Sequence, residues 1–330
     1  MNRYLYGALV LLATFLMGSS FSVGKIGLAH ASPLLLAGLR FTLAGLLMAP
    51  FLWRKPLPGR LSDWAKLAAI GLFQTTGVMG CIFLSMRTIP SGETSILTFV
   101  NPLLVIVLGS SFLGMRYRLA QWLGVLIGAA GVFISLGGFR MHAAEGTWLG
   151  LGAALFWAAA TLMAKAWGAL FNSWILTAGQ MLFGGVMLLA LSFLAEPVSL
   201  DLNPSSLGAL LYLAVMGSIV QFASWYYVLS RSPDPGKTSS FLFLAPLFGV
   251  LSGHFILGET VQPALYAGGV CILAGIFLAN RTGFRRQSAA AAGEGASHAS
   301  EKERKGKERK GKERKGRERK GKEGNNNPTK

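Results

Sequence analysis

The chain has 330 residues, 52% of them hydrophobic and only 14% charged, where a soluble domain carries about 25% charged residues. Its formal net charge of +17 gathers at one end: residues 281–330 hold 17 of the 31 Lys+Arg and 7 of the 14 Asp+Glu. The first 280 residues are too apolar for one soluble domain and for intrinsic disorder, and the basicity belongs to the tail, so it does not argue for specific nucleic-acid binding.

Ten stretches approach the roughly 20 apolar residues that a membrane-crossing helix needs. They lie at about 5–28, 34–53, 64–85, 94–113, 119–138, 147–167, 173–194, 207–229, 238–257 and 263–280. Pro and Gly mark the joints, among them Pro33, Pro56, Pro58, Pro90, Pro197, Pro204 and Pro263. The runs do not alternate in hydropathy, so they read as helices and not as strands of a barrel. Arg3, an apolar run and Gly18-Ser19-Ser20 have the outline of a signal peptide. The apolar run continues past the small residues, so the first span is expected to stay.

Loop charge sets the orientation. Arg3, Arg54, Lys55, Arg60, Lys66, Arg116, Arg118, Lys165, Arg231, Lys237 and the tail fall at one set of helix ends. The other set carries Lys25, Arg87 and Arg140 with most of the acidic loop residues, Glu93, Glu145, Glu196, Asp201 and Glu259. The first set is expected in the cytoplasm, which puts both termini there.

The sequence also repeats. With a shift of 144, residues 92–134 match 236–278 at 14 of 43 positions, including Gly92/Gly236, Phe99/Phe243, Pro102/Pro246, Gly114/Gly258 and Gly131/Gly275. With a shift of 140, Lys25 meets Lys165 and Gly45 meets Gly185. Five spans per repeat is an odd number, so the second repeat enters the membrane from the opposite side, a construction common in secondary transporters. The expected fold is therefore all-α and integral to the membrane, ten transmembrane helices in two inverted five-helix repeats. Its parts are residues 1–140, residues 141–282 and a disordered basic tail, 283–330.

The segments FLMGSSFSVGK (15–25), LRFTLAG (39–45), NPLLVIVLGSSFLGMR (101–116), APLFGVLSGHFILGE (245–259) and GVCILAGIFL (269–278) resemble those of the EamA-type drug/metabolite transporters. The resemblance covers about 4–280. It implies a ten-helix exporter of small metabolites or drugs in a bacterial inner membrane, with a central cavity between the halves. Where the family often has Trp before the first Gly-Ser pair, this chain has Met17, and its repeat mate is Trp157. Where the family often has Glu before the prolines of helices four and nine, this chain has Asn101 and Ala245.

Polar groups within hydrocarbon are costly and point to function. Arg40 lies about 10 Å below the outer interface at 1.5 Å per residue. It reads either as an anion-binding or gating charge, or as a salt bridge or helix cap that fixes packing. Lys25 and Lys165 lie near span ends, where snorkelling accounts for them. Gln74 and Ser218 are repeat mates, and Ser218, Gln221 and Trp225 share one helical face at i, i+3 and i+7. These residues are expected to line a pore, with interhelical hydrogen bonding as the other reading. Pro102 and Pro246 are expected to bend spans four and nine near their middles and to serve in gating, with Asn101 adding polar groups at one bend. Trp157, Trp225, Tyr226 and Tyr227 offer flat faces to amphipathic or cationic molecules, although the two tyrosines also suit interface anchors. Gln180, the repeat mate of Arg40, is placed at the inner gate.

The two cysteines, Cys81 and Cys271, sit in apolar stretches, and the four histidines have no metal spacing. No cofactor, metal or catalytic residue is expected. Residues 302–321 are four basic pentapeptides, KERKG three times and then RERKG. A cytoplasmic tail of this kind can attract anionic lipid. The expected function is export of amino-acid-like or amphipathic organic solutes by alternating access, driven by protons or by the solute's own gradient. A non-transporting sensor or scaffold, or a lipid-acting membrane enzyme, are the other classes considered.

Overall fold

The computed structural model describes residues 3–52, 55, 57–114, 117–135, 144–231, 240–260 and 263–278. All of them belong to the first of two units into which the chain divides, Met1–Thr282 and Gly283–Lys330. The basic tail, and the loop charges Arg54, Arg116, Arg140 and Lys237, lie outside the described residues.

Helices account for the apolar stretches. Seven are long and apolar enough to cross a membrane: α1 (Tyr4–Leu28), α2 (Pro33–Leu52), α3 (Leu61–Ser85), α4 (Ser91–Phe112), α6 (Glu145–Trp167), α7 (Ser173–Ala195) and α8 (Pro204–Trp225). Three shorter apolar helices complete the described set: α5 (Leu119–Ile134), α9 (Leu244–Leu257) and α10 (Pro263–Leu278). Their outer faces carry exposed Leu and Phe, such as Phe112 at 80%, Leu194 at 85% and Phe255 at 79%. Such faces suit lipid rather than water.

The packing is ordered. α2 runs along α7, and the first part of α4 runs along α9. α1 packs on α9 and α8, while α6 packs on α4 and α3. Lipid supplies little hydrophobic drive between helices, so close approach through small residues does much of the holding. A Cβ on Gly45 would stand 2.9 Å from the Leu182 backbone nitrogen, and one on Gly185 would stand 2.9 Å from the Phe41 carbonyl carbon. These two glycines let α2 and α7 touch. Gly131 and Gly275 play the same part between α5 and α10.

Three kinds of irregularity interrupt the helices. α4 breaks at Phe99 and Val100, between Ser91–Thr98 and Asn101–Leu113, with Pro102 in the first turn of the second piece. Proline is accommodated there because the first-turn N–H groups have no intrahelical acceptor. α9 starts after a 3₁₀ turn, Ser240–Phe243, and Pro246 again lies in its first turn. Pro102 therefore sits just after a break in its helix, and Pro246 just after a 3₁₀ turn, rather than in the middle of a continuous α-helix. α3 and α8 each contain a π-helical stretch, Leu72–Gly77 and Tyr212–Val220. Gly114 and Gly258 end their helices in left-handed conformation, φ 59° and 67°, the backbone state that favours glycine at a helix C-terminus.

Candidate functional site

Near the middle of the bundle lies a partly open cavity. Its apolar wall includes Met17, Phe21, Phe83, Phe99, Trp157 and Phe222. Its long polar side chains are Arg40, Gln74 and Gln221. The contributing parts of α1, α2 and α3 lie towards the end of the bundle that carries Leu28, Pro33 and Ser85. A second, larger cavity lies towards the opposite end. Asn101, Pro102, Tyr117, Gln121, Thr161 and Pro246 are among its lining residues. Phe99 and Trp157 line both cavities. Their rings meet edge to face, 5.3 Å between centroids at 68°, a favourable aromatic arrangement.

Arg40 is 4% exposed. Its Nε donates to Ser218 Oγ at 3.1 Å and its Nη2 donates to the Gly217 carbonyl at 2.7 Å. Among the described residues no ion pair includes it. Both acceptors belong to the π-helical stretch of α8. Ser218 Oγ in turn donates to the Leu213 carbonyl, five residues back, at 2.9 Å. The repeat mate of Arg40, Gln180, reaches the corresponding stretch of α3: its Oε1 accepts from Thr75 Oγ1 at 3.3 Å. Thr76 Oγ1 also donates to the Gly184 carbonyl at 3.0 Å.

These contacts separate the residues grouped by the sequence. Gln74 and Gln221 line the first cavity with Arg40 and Trp157, and Asn101 lines the second with Pro102 and Pro246. Ser218 is fully buried and holds Arg40. Neither Trp225 nor Gln180 is among the lining residues of the two cavities. The single-face argument for Ser218, Gln221 and Trp225 assumed 3.6 residues per turn. The wider π turns in Tyr212–Val220 change the phase between Ser218 and the residues that follow. The side chain of Tyr226 lies outside the described residues, and Tyr227 is 39% exposed.

One end of the bundle is tied by contacts between distant segments. Lys25 Nζ donates to the carbonyls of Met86 and Ile89, at 2.6 and 2.8 Å. It thus caps the end of α3. The Glu259 carboxylate accepts from Ser91 N at 2.8 Å, Ser91 Oγ at 2.9 Å and Gly92 N at 3.2 Å. Glu196 does the same for α2, accepting from Leu35 N at 3.0 Å and Ser192 Oγ at 2.7 Å. Both acids satisfy the free N–H groups at a helix start and complement its dipole. Ser32 and Ser199 share three further hydrogen bonds. At the other end, Lys66 bonds to Asp63 and Trp64 Nε1 donates to the Pro58 carbonyl. The Gly258-Glu259 pair is visible in the sequence, but no local pattern says which helix start its carboxylate reaches.

Apolar helices of membrane-spanning length, packed round an internal cavity with few polar groups, define a polytopic membrane protein of the helical-bundle class. The chain belongs to the EamA-like transporter family, which matches it twice, over residues 5–137 and 144–281. It is 31% identical to the uncharacterized transporter YvbV of Bacillus subtilis over 292 residues, 86% of this chain and 94% of that protein. It is 29% identical to a probable amino-acid metabolite efflux pump of Salmonella typhimurium, covering 84% of this chain and 95% of the pump. The uncharacterized inner membrane transporter YedA of Escherichia coli K12 is 31% identical over 78% of this chain and 84% of its own length. A protein crystal structure with 21% identity superposes with a TM-score of 0.60, covering 87% of this chain and 99% of that one, and shares the fold.

Proposed function

We propose that this protein is a secondary transporter of the bacterial inner membrane that exports small organic solutes by alternating access. The observation that carries the reading is the pair of neighbouring cavities that share Phe99 and Trp157 in their walls, with cross-segment hydrogen bonds tying one end. A solute path with one closed gate has this form. The closed end is taken as the outer one, and the amino-terminus and tail as cytoplasmic, because the basic loops fall at the other end.

The two moving bodies are residues 1–140 and 141–282, inverted five-helix repeats. Four observations support this. The family matches the chain once in each half. Gly114 and its mate Gly258 have the same left-handed backbone. The π-helical stretch of α3, shifted by 144, overlaps that of α8. The packing also exchanges halves consistently: α1 on α9 corresponds to α6 on α4, and α1 on α8 to α6 on α3.

In this mechanism Gln74, Gln221, Arg40 and Trp157 contact the solute in the first cavity, and Asn101 contacts it in the second. Ser218 positions Arg40. The helix break before Pro102, the 3₁₀ turn before Pro246 and the Gln180 contact with α3 are joints of the rocking halves. Trp225 contributes from the cytoplasmic side of α8. Amino-acid-like and amphipathic organic solutes are the substrate class, and the efflux-pump name of the Salmonella relative supports it. The driving force is a proton gradient or the solute's own gradient.

The test is counterflow in proteoliposomes with a panel of labelled metabolites. Saturable exchange is expected, and Gln221→Ala and Asn101→Ala should each reduce it with expression intact. Unchanged exchange in both variants rejects the site. No exchange of any solute, with the purified chain folded, rejects transport.

A further inference from the structure

We infer that the first cavity is a subsite for organic monoanions, in which Arg40, Gln74 and Gln221 hold a carboxylate and the aromatic wall holds its apolar body. The inference deepens the transport reading and names the charge class that the same site selects.

A guanidinium has five N–H donors. Two groups of Arg40, Nε and Nη2, bond to Ser218 Oγ and the Gly217 carbonyl. Both acceptors are neutral, so they orient the side chain without cancelling its charge. A Cβ on Gly217 would stand 3.2 Å from Nη2, so the absence of a side chain there lets the charge settle against α8. The remaining donors belong to a side chain that lines the cavity. Among the described residues no carboxylate pairs with Arg40; a buried cation without a counter-charge is unfavourable, and an anion arriving in the cavity relieves it.

The rest of the lining agrees. It contains no Asp or Glu. The amides of Gln74 and Gln221 supply N–H donors beside the same space, and Gln221 is itself 4% exposed. Phe21, Phe99 and Trp157 offer flat apolar surface. A solute with one carboxylate and a hydrocarbon or aryl body has a partner for each part. An organic ammonium would bring a second positive charge next to Arg40 and find no carboxylate.

Three solutes of one skeleton test this: 3-phenylpropionate, phenylalanine and 2-phenylethylamine, differing in charge rather than in shape. Binding is measured on the purified full chain in detergent by calorimetry. The acid is expected to bind at least tenfold more tightly than the amine, with the zwitterion between them. Arg40→Gln should remove that preference. Because Arg40 is buried and its loss can impair folding, Gln221→Glu is the second variant. It puts a carboxylate in the cavity and should weaken the acid and strengthen the amine. The inference is overturned if the amine binds as tightly as the acid, if none of the three binds, or if acid preference survives Gln221→Glu in folded protein. Acid binding without counterflow would remove the transport reading alone. Counterflow of solutes irrespective of charge would remove this inference alone.

Discussion

Phe99 and Trp157 meet edge to face at 5.3 Å, and the pair lines the two cavities described above. One ring comes from the break in α4 and the other from the middle of α6. The two spaces therefore share this pair of side chains, one of which sits where the backbone is already interrupted.

Removing the larger ring should join the cavities. In a background with Cys81 and Cys271 changed to Ala, Ser20→Cys places a thiol in the first cavity. A water-soluble maleimide should label it slowly in the otherwise unchanged protein and at least tenfold faster with Trp157→Ala. Equal rates would mean that the pair is not the barrier.

The carboxylate of Glu259 is an acceptor for three donors at the start of α4. Glu259→Gln removes the charge and turns one oxygen into a donor that faces other donors. Leaving such groups unsatisfied costs about 1–3 kcal/mol. The melting temperature in detergent should fall. The same measurement with Glu196→Gln should show a loss of similar size, because Glu196 caps α2 in the same way.

The α2–α7 contact depends on glycine. A Cβ at Gly185 would stand 2.5 Å from the Thr42 backbone nitrogen, whereas one at Gly208 would meet nothing within 4 Å. Gly185→Ala should lose about 1–3 kcal/mol through overpacking and lower the monodisperse fraction in size-exclusion chromatography. Gly208→Ala should leave that fraction unchanged or raise it, since Ala favours a helix by about 1 kcal/mol over Gly.

The inverted arrangement has a direct check. With the native cysteines replaced, Pro58→Cys and Glu145→Cys should be labelled by an impermeant reagent from opposite faces of the membrane. Labelling of both from one face would end the two-repeat reading and the alternating-access mechanism with it.

The sequence by itself determined the helices. Their positions follow from runs of apolar residues and from Pro and Gly between them, because a backbone in hydrocarbon must satisfy its polar groups within its own segment. α2, Pro33–Leu52, and α7, Ser173–Ala195, fall within a residue of the stretches read from hydropathy. The repeat was legible too, since shared Pro and Gly at fixed spacing survive where apolar residues interchange freely. Tertiary structure alone decided which polar groups meet. Arg40 with Ser218 and Glu259 with Ser91 are 178 and 168 residues apart, and nothing local to either member selects its partner. The π turns of α3 and α8 add a rotation that a regular helical count does not contain, so Ser218 bonds to Arg40 while Gln221 takes its place in the cavity. Helix formation is a local property of a segment; which faces touch depends on how the segments pack, and here the small-residue contacts and helix-end hydrogen bonds set that packing.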